Sequence, residues 1–219
     1  MKNCLVLAFL LPMSPVALGQ ESAGVSADAA LARLMAGNER YVHHKEQHPD
    51  ESPARRKELE AGQHPFAVIL GCADSRVPPE LLFDQGLGDL FVIRVAGNIA
   101  DDAVLASIEY AVEHTGAKLI MVLGHEKCGA ITAAVEGGSP PGHLKTLVEA
   151  IQPSVEATRK EPGDKIHSCV VANARRVAGQ IRASEPVLKE YVERKGVKVV
   201  AADYALDSGK VTLLDAARQ

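Results

Sequence analysis

Four short runs of the chain are almost wholly apolar: "FAVILGC" (66–72), "LFVIRV" (90–95), "KLIMVLGH" (118–125) and "VKVVAADY" (197–204). Each has the length of a strand and is rich in Val, Ile and Leu. A strand without polar alternation is covered on both faces, which means a parallel sheet between layers of helix. The intervening stretches 102–114, 143–160, 170–183 and 186–196 carry apolar residues at helical spacing. Strand–helix–strand alternation predicts right-handed crossovers and an α/β fold with a mainly parallel four-stranded sheet and flanking helices. "ALDSGKVTLL" (205–214) holds an Asp-Ser-Gly turn signal and then a short apolar run, which predicts an antiparallel edge strand.

Ahead of the first strand the pattern is different. Residues 27–42, "ADAALARLMAGNERYV", place Leu31, Leu34, Met35, Tyr41 and Val42 on one helical face, with Asp28 as a candidate cap. A polar loop rich in His and Pro follows, then a short charged helix (54–63) ended by Gly62. Residues 27–62 are therefore expected to form an N-terminal helical arm, free to lie across a partner. The first 19 residues read as a signal peptide: Lys2, an apolar run from Cys4 to Leu11, then Ala17-Leu18-Gly19 ahead of Gln20. The run is shorter than the ~20 residues needed to span a bilayer. The expectation is export, to a bacterial periplasm, of a single domain over 20–219 with no membrane attachment once the leader is gone. A net charge of −4, aromatics at 4% and no tryptophan argue against nucleic acid as a partner.

Two strand ends carry unusual chemistry. The first apolar run leads into "GCADSRVPPE" (71–80), and the third into "GHEKCGA" (124–130). Ligands of open α/β sheets bind outside the carboxyl ends of strands, so Cys72, His125 and Cys128 converge if these two strands are neighbours. Two thiolates and an imidazole are a donor set for zinc. Three protein ligands leave one position open, the mark of a catalytic rather than a structural site. Cys169, in "IHSCVVANA", reads as part of a buried helix face, not as a fourth ligand. Export would take Cys4 away and leave three cysteines, an odd number that is no disulfide framework. Residues alone leave two other readings open: Cys72 and Cys128 as unpaired core thiols, or as a disulfide pair.

The pair "CADSRVPPE" and "GHEKCGA", some fifty residues apart, resembles the β-class carbonic anhydrases. The likeness runs from about Gln63 to Val135, with weaker echoes in the 27–42 helix and in "AADYALDSGKV". It implies Zn2+ on Cys72, His125 and Cys128, and reversible hydration of carbon dioxide to bicarbonate and a proton through zinc-bound hydroxide. It also implies an Asp74–Arg76 dyad, in which Asp74 orients the attacking oxygen and Arg76 keeps the carboxylate ionised. In a closed form of the family the equivalent of Asp74 itself ligates zinc. Closed-type members often use a tryptophan in a bicarbonate pocket that this chain lacks, which favours the open form. The resemblance assigns Gln63, Phe91, Tyr110 and Gly129 to the substrate side and implies a homodimer or homotetramer. "RVAGN" (94–98) departs from the family pattern, which puts the pocket shape in question, and Glu126 and Lys127 are expected to face solvent. The histidines other than His125 are expected to be solvated surface groups. Two alternative functions share the same residues: a noncatalytic zinc-binding relative, and a hydrolase of carbonyl sulfide or carbon disulfide.

Overall fold

A computed structural model describes residues 24–138 and 140–214, so the leader expected over 1–19 lies outside the described residues. In chain order it contains α1 (Ala27–Val42), α2 (Pro53–Glu58), β1 (Ala67–Gly71), α3 (Pro79–Leu82), β2 (Leu90–Arg94), α4 (Asp102–Tyr110) and β3 (Leu119–His125). There follow α5 (Gly129–Glu136), α6 (Leu144–Thr158), α7 (Lys165–Ala183), α8 (Val187–Arg194), β4 (Lys198–Tyr204) and β5 (Val211–Leu214). The strands form one sheet in the order β2-β1-β3-β4-β5. The pairs β1–β2, β1–β3 and β3–β4 are parallel, and β5 runs antiparallel to β4, as the turn signal at 205–214 predicts.

Alternate residues of each strand feed two cores. Ile69, Met121 and Leu123 pack with Leu34 of α1, Ile131 of α5 and Ile151 of α6. Val68, Leu70, Ile120 and Val122 pack on the other face with Ile108 of α4, Val177 and Ile181 of α7, and Leu188 of α8. Both faces of the central strands are buried, which is why their sequences show no alternation.

Helix α1 is capped by Ser26, whose side chain accepts from Ala29 N, and not by Asp28. Ser26 is the residue still in extended conformation; Asp28 lies in the first turn, where a carboxylate meets the positive end of the helix dipole. The arm does not stand free. Ala30 and Leu34 are fully buried in the chain's own core. Buried Asn38 donates to Leu82 O (3.0 Å) and Gly209 O (2.9 Å) and accepts from Val211 N (2.8 Å), joining α1 to α3 and to the β4–β5 hairpin. Gly37 permits this approach: a Cβ there would stand 1.8 Å from Phe83 O.

The order of strands fixes where a site can form. The chain leaves β1 for β2 on one side, then returns to place β3 on the other side of β1. The carboxyl ends of β1 and β3 thus flank the topological switch point, the crevice where ligands of open α/β sheets bind.

Candidate metal centre

Cys72 follows the last residue of β1, His125 is the last residue of β3, and Cys128 caps the N-terminus of α5. All three are buried. Lys127, in the left-handed region at φ 51°, makes the tight turn that carries the chain from the strand end to Cys128. One atom from each of the three residues lies within 4.8 Å of the others. The two sulfurs are 3.9 Å apart, well beyond the ~2.05 Å of a disulfide, and all three cysteines among the described residues are free.

The polar groups test whether a metal fits. His125 Nδ1 lies 2.8 Å from Glu126 O, so this nitrogen carries the proton and donates it to the carbonyl. The other nitrogen, Nε2, is then a bare acceptor, buried and without a hydrogen-bond partner among the described residues. Leaving such an atom unsatisfied costs about 1–3 kcal/mol. A cation held between Nε2 and the two sulfurs removes that cost, whereas packed core thiols do not. The Cys72 thiol is driven well below its ordinary range by the hydrogen bond from Cys128, aided by the N–H of Gly97. Cys128 holds the proton of that bond and is pushed up. A metal bound here would displace that proton, since a thiolate rather than a thiol is the ligating form.

Asp74 stands at the mouth of the cluster, with Oδ2 4.0 Å from His125 Nε2. Arg76 grips its carboxylate bidentately, Nε to Oδ1 at 2.9 Å and Nη2 to Oδ2 at 2.7 Å, and the Arg76 backbone N–H adds a third bond at 3.0 Å. These bonds hold the carboxyl well below the usual range. Arg76 Nη2 also donates to Lys127 O at 3.2 Å, which ties the dyad to the turn between His125 and Cys128.

Two supporting residues were not legible as such. Arg94, at the end of β2, donates from Nε to Cys72 O (2.9 Å) and from Nη2 to Asp74 O, pinning the backbone that carries ligand and dyad. A cation closing an apolar strand beside the switch point was the available signal. Glu126 does not project into solvent: it is partly buried, and its Oε2 accepts from Leu206 N at 3.1 Å, locking the turn to the β4–β5 hairpin. Lys127 is exposed as expected.

The residues assigned to the substrate side are dispersed. Gly129 directly follows Cys128, and no atom lies within 4 Å of where its Cβ would be, so space is open beside its peptide. Gln63 is exposed, one residue beyond the turn at Gly62. Phe91 packs against the core on the face opposite Cys72, its ring 6.1 Å from that of half-exposed Tyr110. Among the described residues, Gln63, Phe91 and Tyr110 make no hydrogen bond or ring contact with the Cys72–His125–Cys128 cluster. His43, His44, His48, His64, His114, His143 and His167 are all exposed.

A mainly parallel sheet with two thiols and an imidazole at its switch point defines an α/β protein with one candidate metal centre among the described residues. The family model for carbonic anhydrase matches residues 67–211, and with the likenesses below the chain belongs to the β-class carbonic anhydrases. Carbonic anhydrase 2 of Mycobacterium tuberculosis is 42% identical over 191 residues, covering 85% of this chain and 92% of its own. A carbonic anhydrase of Mycolicibacterium smegmatis is 39% identical over 84% of this chain and 92% of its own. Among solved structures, a tetrameric β-carbonic anhydrase from Sordaria macrospora superposes with a TM-score of 0.70 at 25% identity, covering 84% of this chain and 96% of that one. The β-carbonic anhydrase CafA of Aspergillus fumigatus gives 0.68 at 29% identity, covering 88% and 92%.

Proposed function

We propose that Cys72, His125 and Cys128 hold a zinc ion and that the chain uses it for reversible hydration of carbon dioxide to bicarbonate and a proton. The observation that carries this reading is the buried, unpartnered Nε2 of His125, facing two thiols and next to an arginine-clamped carboxylate. Zinc at such a site supplies Lewis acidity that brings the pKa of water toward neutrality. Asp74, kept ionised by Arg76, accepts a hydrogen bond from the attacking water and aims its lone pair at the carbon of carbon dioxide. Both Asp74 oxygens are engaged by Arg76, which supports the open arrangement in which Asp74 stays off the metal. The position of Gly129 at the start of α5, with open space beside it, supports its N–H as a donor to a bicarbonate oxygen. The product proton passes to solvent.

The experiment pairs zinc content with stopped-flow hydration rate on the same preparations. Cys72→Ser, His125→Ala and Cys128→Ser each remove one of three ligands and are expected to lose zinc and activity together. Full zinc with no carbon dioxide hydration would favour the noncatalytic reading. Turnover of carbonyl sulfide or carbon disulfide instead would favour the hydrolase.

Export of a single domain over 20–219 is proposed on Lys2, the Cys4–Leu11 run and the Ala17-Leu18-Gly19 site. Among the described residues no helix is long and apolar enough to cross a membrane. Mass spectrometry of the native protein is expected to find a chain starting near Gln20; an intact Met1 would refute it.

A further inference from the structure

We infer that Asn173, on α7 and remote from the metal ligands in sequence, is a positioning residue for the metal centre, acting through Gly97 on the sulfur of Cys72. The inference rests on the reading of Cys72 as a metal ligand. The N–H of Gly97 donates to Cys72 Sγ at 3.4 Å. The carbonyl of the same residue accepts from Asn173 Nδ2 at 2.9 Å. Gly97 is thus held from both sides, by the sulfur at its N–H and by the amide at its C=O.

Such holding is needed because Gly97 has little of its own. It sits at φ 72°, ψ 14° inside a short turn, a conformation that glycine adopts and leaves at little cost. A side chain is not available to fix it: a Cβ would stand 2.8 Å from Ile151 Cδ1 and 3.2 Å from Ala130 Cβ. The anchor has to come from outside, and Asn173 is built as one. It is fully buried. Its Oδ1 accepts from Ser154 Oγ (3.2 Å) and Arg176 Nη2 (3.1 Å). Arg176 in turn donates to Ser154 Oγ (2.9 Å) and Ala150 O (2.8 Å), fastening α7 to α6. The amide therefore has one orientation, with Nδ2 toward Gly97. A hydrogen bond to a metal-bound thiolate draws charge from the sulfur and fixes its lone pairs, and losing such an outer partner typically costs about 10–100-fold in metal affinity or activity.

The test loads the full-length protein with an NMR-active cadmium isotope. Wild type is expected to show scalar coupling from cadmium to the β-protons of Cys72 and Cys128, and also to the amide proton of Gly97 through the sulfur. Asn173→Asp keeps the acceptor for Ser154 and Arg176 but cannot donate to Gly97 O. It should retain the cysteine couplings, lose the Gly97 coupling, and bind zinc about 10–100-fold more weakly in chelator competition. Asn173→Ser fits the space, falls short of Gly97 O and adds no charge; it gives the same result and stands in if the aspartate variant does not fold. Val177→Ala makes a cavity in the other core from the same helix, lowers stability, and leaves coupling and affinity unchanged. Cysteine couplings in wild type without one to Gly97 overturn the inference while the metal reading survives. So does an Asn173 variant that keeps both coupling and affinity. Absence of the cysteine couplings overturns the metal reading, and this inference falls with it.

Discussion

Asp74 is held as an anion by three donors of one residue, and the division between holding metal and turning over substrate follows from that. Asp74→Asn is nearly isosteric, but its amide turns two hydrogens toward a guanidinium that has only hydrogens to offer. The clamp opens on one side, and the group beside His125 Nε2 no longer presents two acceptors. Zinc content is expected to stay full, since the three ligands are untouched, while hydration falls by about 10²–10⁴-fold, the usual effect of removing one positioned acid–base group. Elemental analysis beside stopped-flow rates checks this; near-full activity at neutral pH would make the dyad structural. The convergence of Cys72, His125 and Cys128 and the pairing of Asp74 with Arg76 were legible because each of these residues lies within a few residues of an apolar strand end. Arg94 and Asn173 were not. Their contacts reach 22 residues to Cys72 and 76 residues to Gly97, and no local pattern encodes such a span.

At the scale of elements, the central strands were readable because a strand buried on both faces has no polar positions. Helix α7 begins at Lys165, five residues ahead of the expected 170: Asp164 caps it, and Ile166 and Cys169 carry its apolar face back into the first turns. Helix α3 and the turn at Ala96–Asn98 are too short to show any period. The arm was legible as a helix, but its docking was not, since that depends on Asn38 and on a buried acid, Asp84. Asp84 accepts from the backbone N–H groups of Gln47 (3.1 and 3.0 Å) and His48 (2.9 Å) and from Arg40 Nε of α1. Burial alone would raise its pKa; the Gln47 N–H, Arg40 and the His48 N–H more than offset that, and the net shift is downward. A lowered carboxylate contributes stability above its unfolded pKa, about 4, and loses it as pH falls through the folded value. Asp84→Asn leaves Arg40 facing an amide and is expected to cost about 2–3 kcal/mol at pH 7, with a gap to wild type that narrows below pH ~4. Urea unfolding at neutral and acid pH measures both; a gap independent of pH would show that charge is not what docks the arm.

For the whole molecule the question is what covers the surface around β2. That strand closes one edge of the sheet, and its residues are only partly buried. Phe91 and Tyr110 meet there at a tilt of 40°, with His114 4.9 Å from the Tyr110 ring, and half of Tyr110 is exposed. Leu81 and Leu87 are also exposed large apolar residues. An aromatic pair half in water beside an open strand is what an interface leaves behind when one subunit is viewed alone. The Sordaria macrospora relatives are tetrameric. Tyr110 contributes little to its own core from this position, so replacing it tests assembly with small risk to folding. Light scattering is expected to give a dimer or tetramer for the wild-type chain over a dilution series. Tyr110→Glu would desolvate a carboxylate against the second subunit and is expected to shift the mass toward smaller species while zinc content stays unchanged. Hydrogen exchange at residues 90–94 should rise in the same variant if that edge is the contact. A wild-type chain that stays monomeric at every concentration would show that the Phe91–Tyr110 surface meets only water.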